Sequence, residues 1–183
     1  MSAVIPFHRV NVLCGLKSAR LVEHAAEYAN LIRKAKRPLM VLGPLLLGAS
    51  PDGKLLLQYA LDIAGPMKIP ICATETVKGK MQELGVKPDS AYDAVEIANA
   101  LKDPGWRGVR KEGNHDLVIL FGIRSDLGNQ TLSALKHYAP HLKTMTLCKY
   151  YFPNADYSLP NFKKDTQWQE FLESLTDNLR KGA

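Results

Sequence analysis

An α/β fold, a parallel sheet with helices on both faces, is what this sequence predicts, and three observations carry the expectation. Residues 39–42 (Leu-Met-Val-Leu) and 117–121 (Leu-Val-Ile-Leu-Phe) are short unbroken apolar runs, the pattern of strands buried on both faces. Each run stops at a glycine, Gly43 and Gly122. Between the apolar runs lie stretches whose apolar residues recur at three- and four-residue steps, so strands alternate with helices and must pair in parallel.

Taken in order, residues 1–17 form an extension without a sustained period, whose Val4, Ile5, Phe7, Val10, Val12 and Leu13 favour packing on something. Ser18 is placed to cap a helix with Leu21, Val22, Ala25, Tyr28, Ala29 and Ile32 on its core face. Its basic end, Arg33 to Arg37, suits the helix dipole, and the strand at 39–42 follows. Ser50-Pro51 has the form of an N-cap with proline at the first helical position. The helix it would open carries Leu55, Leu56, Tyr59, Ala60, Ile63 and Ala64 inward, and Gly65-Pro66 ends it.

A second strand is expected over 68–73, which makes Cys72 a packing residue, and 74–88 reads as a long loop or broken segment. Ser90 is placed to cap a helix bearing Ala91, Ala94, Val95, Ala98 and Leu101, broken by Asp103-Pro104-Gly105. Residues 106–115 are basic and glycine-rich, an exposed connection with room for a short strand at Val109. After the strand at 117–121 come a helix with Leu127, Leu132, Leu135 and Tyr138, stopped by Pro140, and a strand at 143–148. An edge strand at 157–159 precedes a closing helix with Trp168, Phe171, Leu172, Leu175 and Leu179 inward, where Thr166 and Gln169 have capping-box spacing.

Composition narrows the function. The chain has 183 residues, 46% of them hydrophobic, enough for one core, so one domain spanning 1–183 is expected. No apolar run approaches the roughly 18 residues that would span a bilayer, and no secretory leader is evident. Cys14, Cys72 and Cys148 are too far apart for a Cys-x-x-Cys site, and their odd number argues against a disulfide framework; a reducing cytoplasm fits. The net charge of +6 is scattered apart from 107–111, so the reading is a solvated surface with a possible acidic partner rather than nucleic acid.

In an open α/β sheet, ligands bind at the carboxyl ends of strands. Three strand-end loops carry groups suited to a phosphate: Gly43 and Leu46, then Thr74, Thr76 and Lys78, then Gly122 and Arg124. The planar fork of Arg124 is the group best shaped for a diphosphate. The bland alternative is that the glycines only turn the chain and the cations are solvated. Neither a Gly-x-Gly-x-x-Gly fingerprint nor a P-loop follows Gly43. His137 and His141 have helical ligand spacing but are interrupted by Pro140 and lack a third ligand. No Ser/His/Asp or Cys/His arrangement can be assembled, so no catalytic residue is assigned. Trp106 and 150–153 (Tyr-Tyr-Phe-Pro) are candidates for exposed interface aromatics, with core packing an equal explanation.

Several stretches together carry a family resemblance: the apolar extension, the helix leading into Ala35-Lys36-Arg37-Pro38-Leu39, Lys68-Ile69-Pro70-Ile71, Asp103-Pro104-Gly105-Trp106, and Asn154-Ala155. In their order and spacing the chain resembles the epsilon subunit family of the archaeal acetyl-CoA decarbonylase/synthase complex. The resemblance implies a three-layer, Rossmann-like sheet similar to the middle domain of thiamine diphosphate enzymes, which holds FAD or ADP in some relatives. It also implies a cytoplasmic accessory subunit of methanogenic or related archaea, without a metal cluster of its own. Its partner would be the large (alpha) nickel-iron-sulfur carbon monoxide dehydrogenase subunit, two copies of each. The role it implies is either stabilising that subunit or, with FAD, assisting electron transfer from it.

Overall fold

The computed structural model describes residues 17–182. Residues 1–16 of the 1–17 extension, with Cys14 and His8, lie outside the described residues. One seven-stranded sheet, parallel throughout, organises the rest in the order β1-β7-β6-β5-β2-β3-β4. Its strands are β1 (Arg20–Leu21), β2 (Pro38–Leu42), β3 (Ile71–Ala73), β4 (Ser90–Ala91), β5 (Leu117–Phe121), β6 (Lys143–Thr146) and β7 (Tyr157–Ser158). The helices are α1 (Ala25–Lys34), α2 (Leu56–Ala64), α3 (Glu75–Glu83), α4 (Ala94–Lys102), α5 (Ser125–Tyr138) and α6 (Asp165–Lys181).

The central pair β2 and β5 is buried at every residue, as the two apolar runs predict. Alternation along these strands divides two cores. Met40, Leu42, Ile119 and Phe121 face α1, α2, α3 and α6, whereas Leu39, Val41, Val118 and Leu120 face α4 and α5. Tyr28 shows how the first core is tied together. Its ring meets Phe171 edge-on at 5.5 Å, and its hydroxyl donates to the Thr146 carbonyl at 3.0 Å. Trp168 likewise lies edge-on to Phe121 and donates Nε1–H to the Leu147 carbonyl at 2.9 Å.

Several local expectations are corrected by tertiary contacts. Ser18 caps nothing: Arg20 and Leu21 pair with Tyr157 and Ser158 as β1, and α1 opens only at Ala25. Strand β7 is consequently internal, not an edge. Ser50-Pro51 opens a turn closed by the Ala49–Leu55 bridge, with Gly53 at φ +81, and α2 starts after Leu55. Leu57 is then fully buried in the core, and Leu55 and Leu56 pack against it partly buried. The expected loop at 74–88 contains α3, whose buried side chains are only Val77 and Met81. Ser90 belongs to β4; Asp93 caps α4, accepting from the amides of Val95 and Glu96, while Glu96 accepts from the Asp93 amide. No strand forms at Val109, Tyr138 turns outward at 69% exposure, and α6 starts at Asp165 without a side-chain cap from Thr166.

Candidate functional site

The chain leaves β2 toward β3 and β4, then crosses back to β5 on the other side of β2. The carboxyl ends of β2 and β5 therefore flank the switch point, where an open α/β sheet forms its crevice. A cleft of ≈ 610 Å³ lies there, extending toward the end of β6 and the start of α6.

Its floor is built by two chain segments in close approach. The Gly43 amide donates to the Phe121 carbonyl at 2.8 Å, and the Leu45 amide to the Gly122 carbonyl at 2.9 Å. Leu46, on the 3-10 turn Pro44–Leu47, is buried beside Gly122, which has φ +76. Phe121, Phe152 and Trp168 complete the apolar lining.

Charged groups stand around this floor in pairs. Arg124 precedes α5 and places its fork on Asp126, Nη2 to Oδ2 at 2.6 Å and Nε to Oδ1 at 3.2 Å. The guanidinium, with the Leu127 amide, holds the Asp126 carboxyl below its ordinary range. Lys149 pairs with Asp165 at 2.7 Å and lies 5.6 Å from the centre of the Tyr150 ring. Burial pushes the Cys148 thiol up to about 11, although the amides of Gly122 and Ile123 hydrogen-bond to it.

Of the residues singled out in the sequence, Leu46, Gly122 and Arg124 line this cleft, with Gly43 packed against Gly122 beneath it. Thr74, Thr76 and Lys78 follow β3 at the same edge but do not line it. The Thr74 amide donates to the Leu42 carbonyl, its Oγ1 is buried without a partner, Thr76 is exposed on α3, and Lys78 pairs with Glu75 at 3.0 Å. Sequence reasoning missed Lys149, Asp165 and Trp168. The 143–148 strand was legible, and its carboxyl end is the signal that leads to Lys149.

A diphosphate would need free donors here. The amides of Gly43, Leu45, Gly122 and Ile123 are all committed to the chain itself, and Asp126 holds the Arg124 fork. The floor is apolar, and a ligand's phosphates would have to draw Arg124 away from Asp126.

A second groove, ≈ 860 Å³, runs along α5 and shares Ser125, Asp126 and Tyr150 with the cleft. Tyr150 is 58% exposed, as the interface reading expects, but Tyr151 and Phe152 are buried at 4% and 2% and Pro153 is buried too. The Tyr151 hydroxyl donates to the Ala19 carbonyl at 2.8 Å, and Phe152 packs on Gly128. Asn154 donates Nδ2–H to the Asn129 carbonyl at 3.0 Å, while Oδ1 of both asparagines is buried without a partner. Trp106 is half-buried, 5.6 Å from the His115 ring. His141 faces Asn114 and His137 faces Tyr138. Among the described residues, no three His, Cys, Asp or Glu side chains are grouped to hold a metal ion, and no helix is long and apolar enough to cross a membrane.

A parallel open sheet with its crevice at the switch point places this chain in the Rossmann-like class of α/β proteins. Residues 1–176 match the family described as CO dehydrogenase beta subunit/acetyl-CoA synthase epsilon subunit, and the chain belongs to that family. It is 41% identical over 173 residues, 94% of each chain, to the acetyl-CoA decarbonylase/synthase complex subunit epsilon of Methanothermobacter thermautotrophicus. It is 36% identical over 153 residues to subunit epsilon 1 of Archaeoglobus fulgidus, covering 82% of this chain and 80% of the relative. Subunit epsilon 1 of Methanosarcina barkeri is 36% identical over 137 residues, 74% of this chain and 76% of the relative.

Proposed function

We propose that this chain is a noncatalytic subunit of an acetyl-CoA decarbonylase/synthase complex, stabilising the nickel-iron-sulfur carbon monoxide dehydrogenase subunit in a cytoplasmic assembly with two copies of each. The observation that carries this reading is the groove along α5 bounded by the exposed rings of Tyr138 and Tyr150. Tyrosines of this kind, with an apolar body and a polar tip, are enriched at protein interfaces. The polar groups of the neighbouring cleft pair with one another, and the Cys148 thiol stays protonated, so they support packing more readily than proton transfer. Residues 1–16, outside the described residues, belong to the same proposed contact, because the chain emerges at Lys17, whose carbonyl accepts from Lys136 on α5.

The test is assembly of the purified chain with the large subunit, followed by size-exclusion chromatography with light scattering. Tyr150→Ala and deletion of 1–16 should each weaken assembly without unfolding the chain. Unchanged assembly in both would remove this surface, and failure of the unaltered chain to assemble would remove the reading.

A second reading is favoured by the exposed guanidinium of Arg124 at the switch-point cleft. In it, FAD lies in the cleft, Arg124 and Lys149 hold its phosphates, and Leu46, Phe121 and Trp168 receive its rings. The flavin would supply a redox group able to take electrons from the partner. Calorimetry and flavin fluorescence, with and without the large subunit, test it: absence of saturable binding in both states ends this reading.

A further inference from the structure

The amino-terminal edge of the sheet, opposite the cleft, carries a surface that neither reading uses. Lys36 and Arg37 lead into β2, Lys68 precedes β3, and Arg107, Arg110 and Lys111 stand on the loop before β5; all are exposed. Lys36, Arg37, Lys68 and Arg110 line a depression of ≈ 240 Å³ there, with Glu112 the acid among its lining residues. Two further carboxylates nearby are already engaged. Asp89 takes Arg110 Nε at 2.6 Å and the Ile71 amide, and Asp116 takes the amides of Lys36 and Arg37. Among the described residues no ion pair reaches Lys36, Lys68, Arg107 or Lys111.

These cations stand on a fixed framework. Buried His115 accepts the Val109 amide on Nε2 at 3.3 Å, so its proton is on Nδ1, which donates to the Arg37 carbonyl at 3.0 Å. Arg37 Nε donates to the Asn114 carbonyl at 2.5 Å, and Arg110 Nη1 to the Lys68 carbonyl at 3.2 Å. Gly108, at φ +75, packs so closely that a Cβ would stand 2.4 Å from the Gly113 carbonyl oxygen.

The backbone supplies an independent observation. Among the described residues the non-glycine positions in the left-handed region are Lys68, at φ 51, and Lys111, at φ 60, both on this rim. Glycine would adopt that conformation without steric cost, and strain of this kind is retained where the side chain has a use.

We propose that this preorganised basic rim is a docking surface for an acidic face of the large subunit of the same assembly; the inference rests on the accessory-subunit reading above. Protein is favoured over nucleic acid on two grounds. Asp89 and Glu112 interrupt the rim, and Trp106, the aromatic of this loop, is packed against His115 instead of standing free for bases to stack on.

The test measures affinity for the purified large subunit at about 50 and 300 mM salt, where the screening length changes roughly twofold. Chains compared are the unaltered protein, Lys68→Gly, Lys111→Gly and the double variant Lys68→Glu with Lys111→Glu. Each glycine variant is expected to melt no lower than the unaltered chain yet to bind roughly threefold or more weakly, and the double variant at least about tenfold more weakly, with loss of the salt dependence. If the unaltered chain binds but the variants match it at both salt concentrations, this inference fails and the accessory reading stands. If the unaltered chain does not bind, both fall. Tighter binding to a 20-base-pair DNA duplex than to the subunit, lost in the double variant, would overturn the choice of a protein partner.

Discussion

Gly43 and Gly122 meet backbone to backbone at the ends of β2 and β5: a Cβ on Gly43 would lie 2.4 Å from the Gly122 carbonyl oxygen. A Cβ on Gly122 would lie 2.4 Å from Leu46 Cγ, at φ +76. Both glycines are therefore required by close approach, and their amides and carbonyls knit the switch point together. Gly122→Ala adds left-handed strain to overpacking and should lower stability by about 2–4 kcal/mol. Urea denaturation checks this; a loss below about 1 kcal/mol would mean that Leu46 yields freely.

Arg124 and Asp126 make a prediction for the flavin reading. If FAD occupies the cleft, Arg124→Ala should weaken it by about 1.5–3 kcal/mol, the range for a hydrogen bond to a charged group. Asp126→Asn should act in the opposite direction, since it frees the guanidinium and removes a like charge from beside the phosphates. Calorimetric titration of both variants decides it, and unaltered affinity in Arg124→Ala takes Arg124 out of the site.

The cap of α4 is the clearest local test of the fold. Asp93 satisfies two amides of the first turn, and Glu96 returns a bond to the Asp93 amide. Asp93→Ala should cost about 0.5–2 kcal/mol in chemical denaturation. Ser90→Ala, at the position the sequence pattern prefers, should not reproduce a loss of cap, because Ser90 lies in β4.

These cases show where the sequence is informative. Residues 117–121 declare a strand because all five side chains are buried, so the apolar run and the structure coincide. Strands β1, β4 and β7 are two residues long, too short to hold a period, and exist through partners remote in sequence. Helix α3 buries only Val77 and Met81 and so leaves a weak apolar stripe. At the site, the strand-end rule finds Gly43, Leu46, Gly122 and Arg124. It misses Lys149 and Asp165 because their meeting depends on α6 returning to the end of β6, which no local pattern encodes.

Tyr28 offers a stability prediction at the junction of α1, β6 and α6. Its hydroxyl bonds the Thr146 carbonyl in a fully buried setting, and burial raises its pKa well above the ordinary value. Tyr28→Phe keeps the edge-on contact with Phe171 but leaves that carbonyl short of a donor, which should cost about 1–3 kcal/mol. Thermal and urea melts of the single variant suffice, and an unchanged midpoint would show that the carbonyl finds another donor.

His115 gives the basic rim a pH dependence of known sign. Burial lowers its pKa from the ordinary 6.5, and the Val109 amide pointing at Nε2 leaves no room for a second ring proton. As pH falls below about 6.5, the unfolded chain takes up a proton that the folded chain resists, so protonation favours unfolding. The stability supplied by neutral His115 is thus complete above 6.5 and is lost as pH falls through the depressed value. Loop 106–115, which His115 anchors to Arg37, should loosen over the same interval. His115→Gln should be less stable at pH 7 but show a shallower fall in stability between about pH 7 and 5. Amide hydrogen exchange of the loop and urea melts across that range measure both effects. Equal pH slopes in the two proteins would show that another group governs this edge of the sheet.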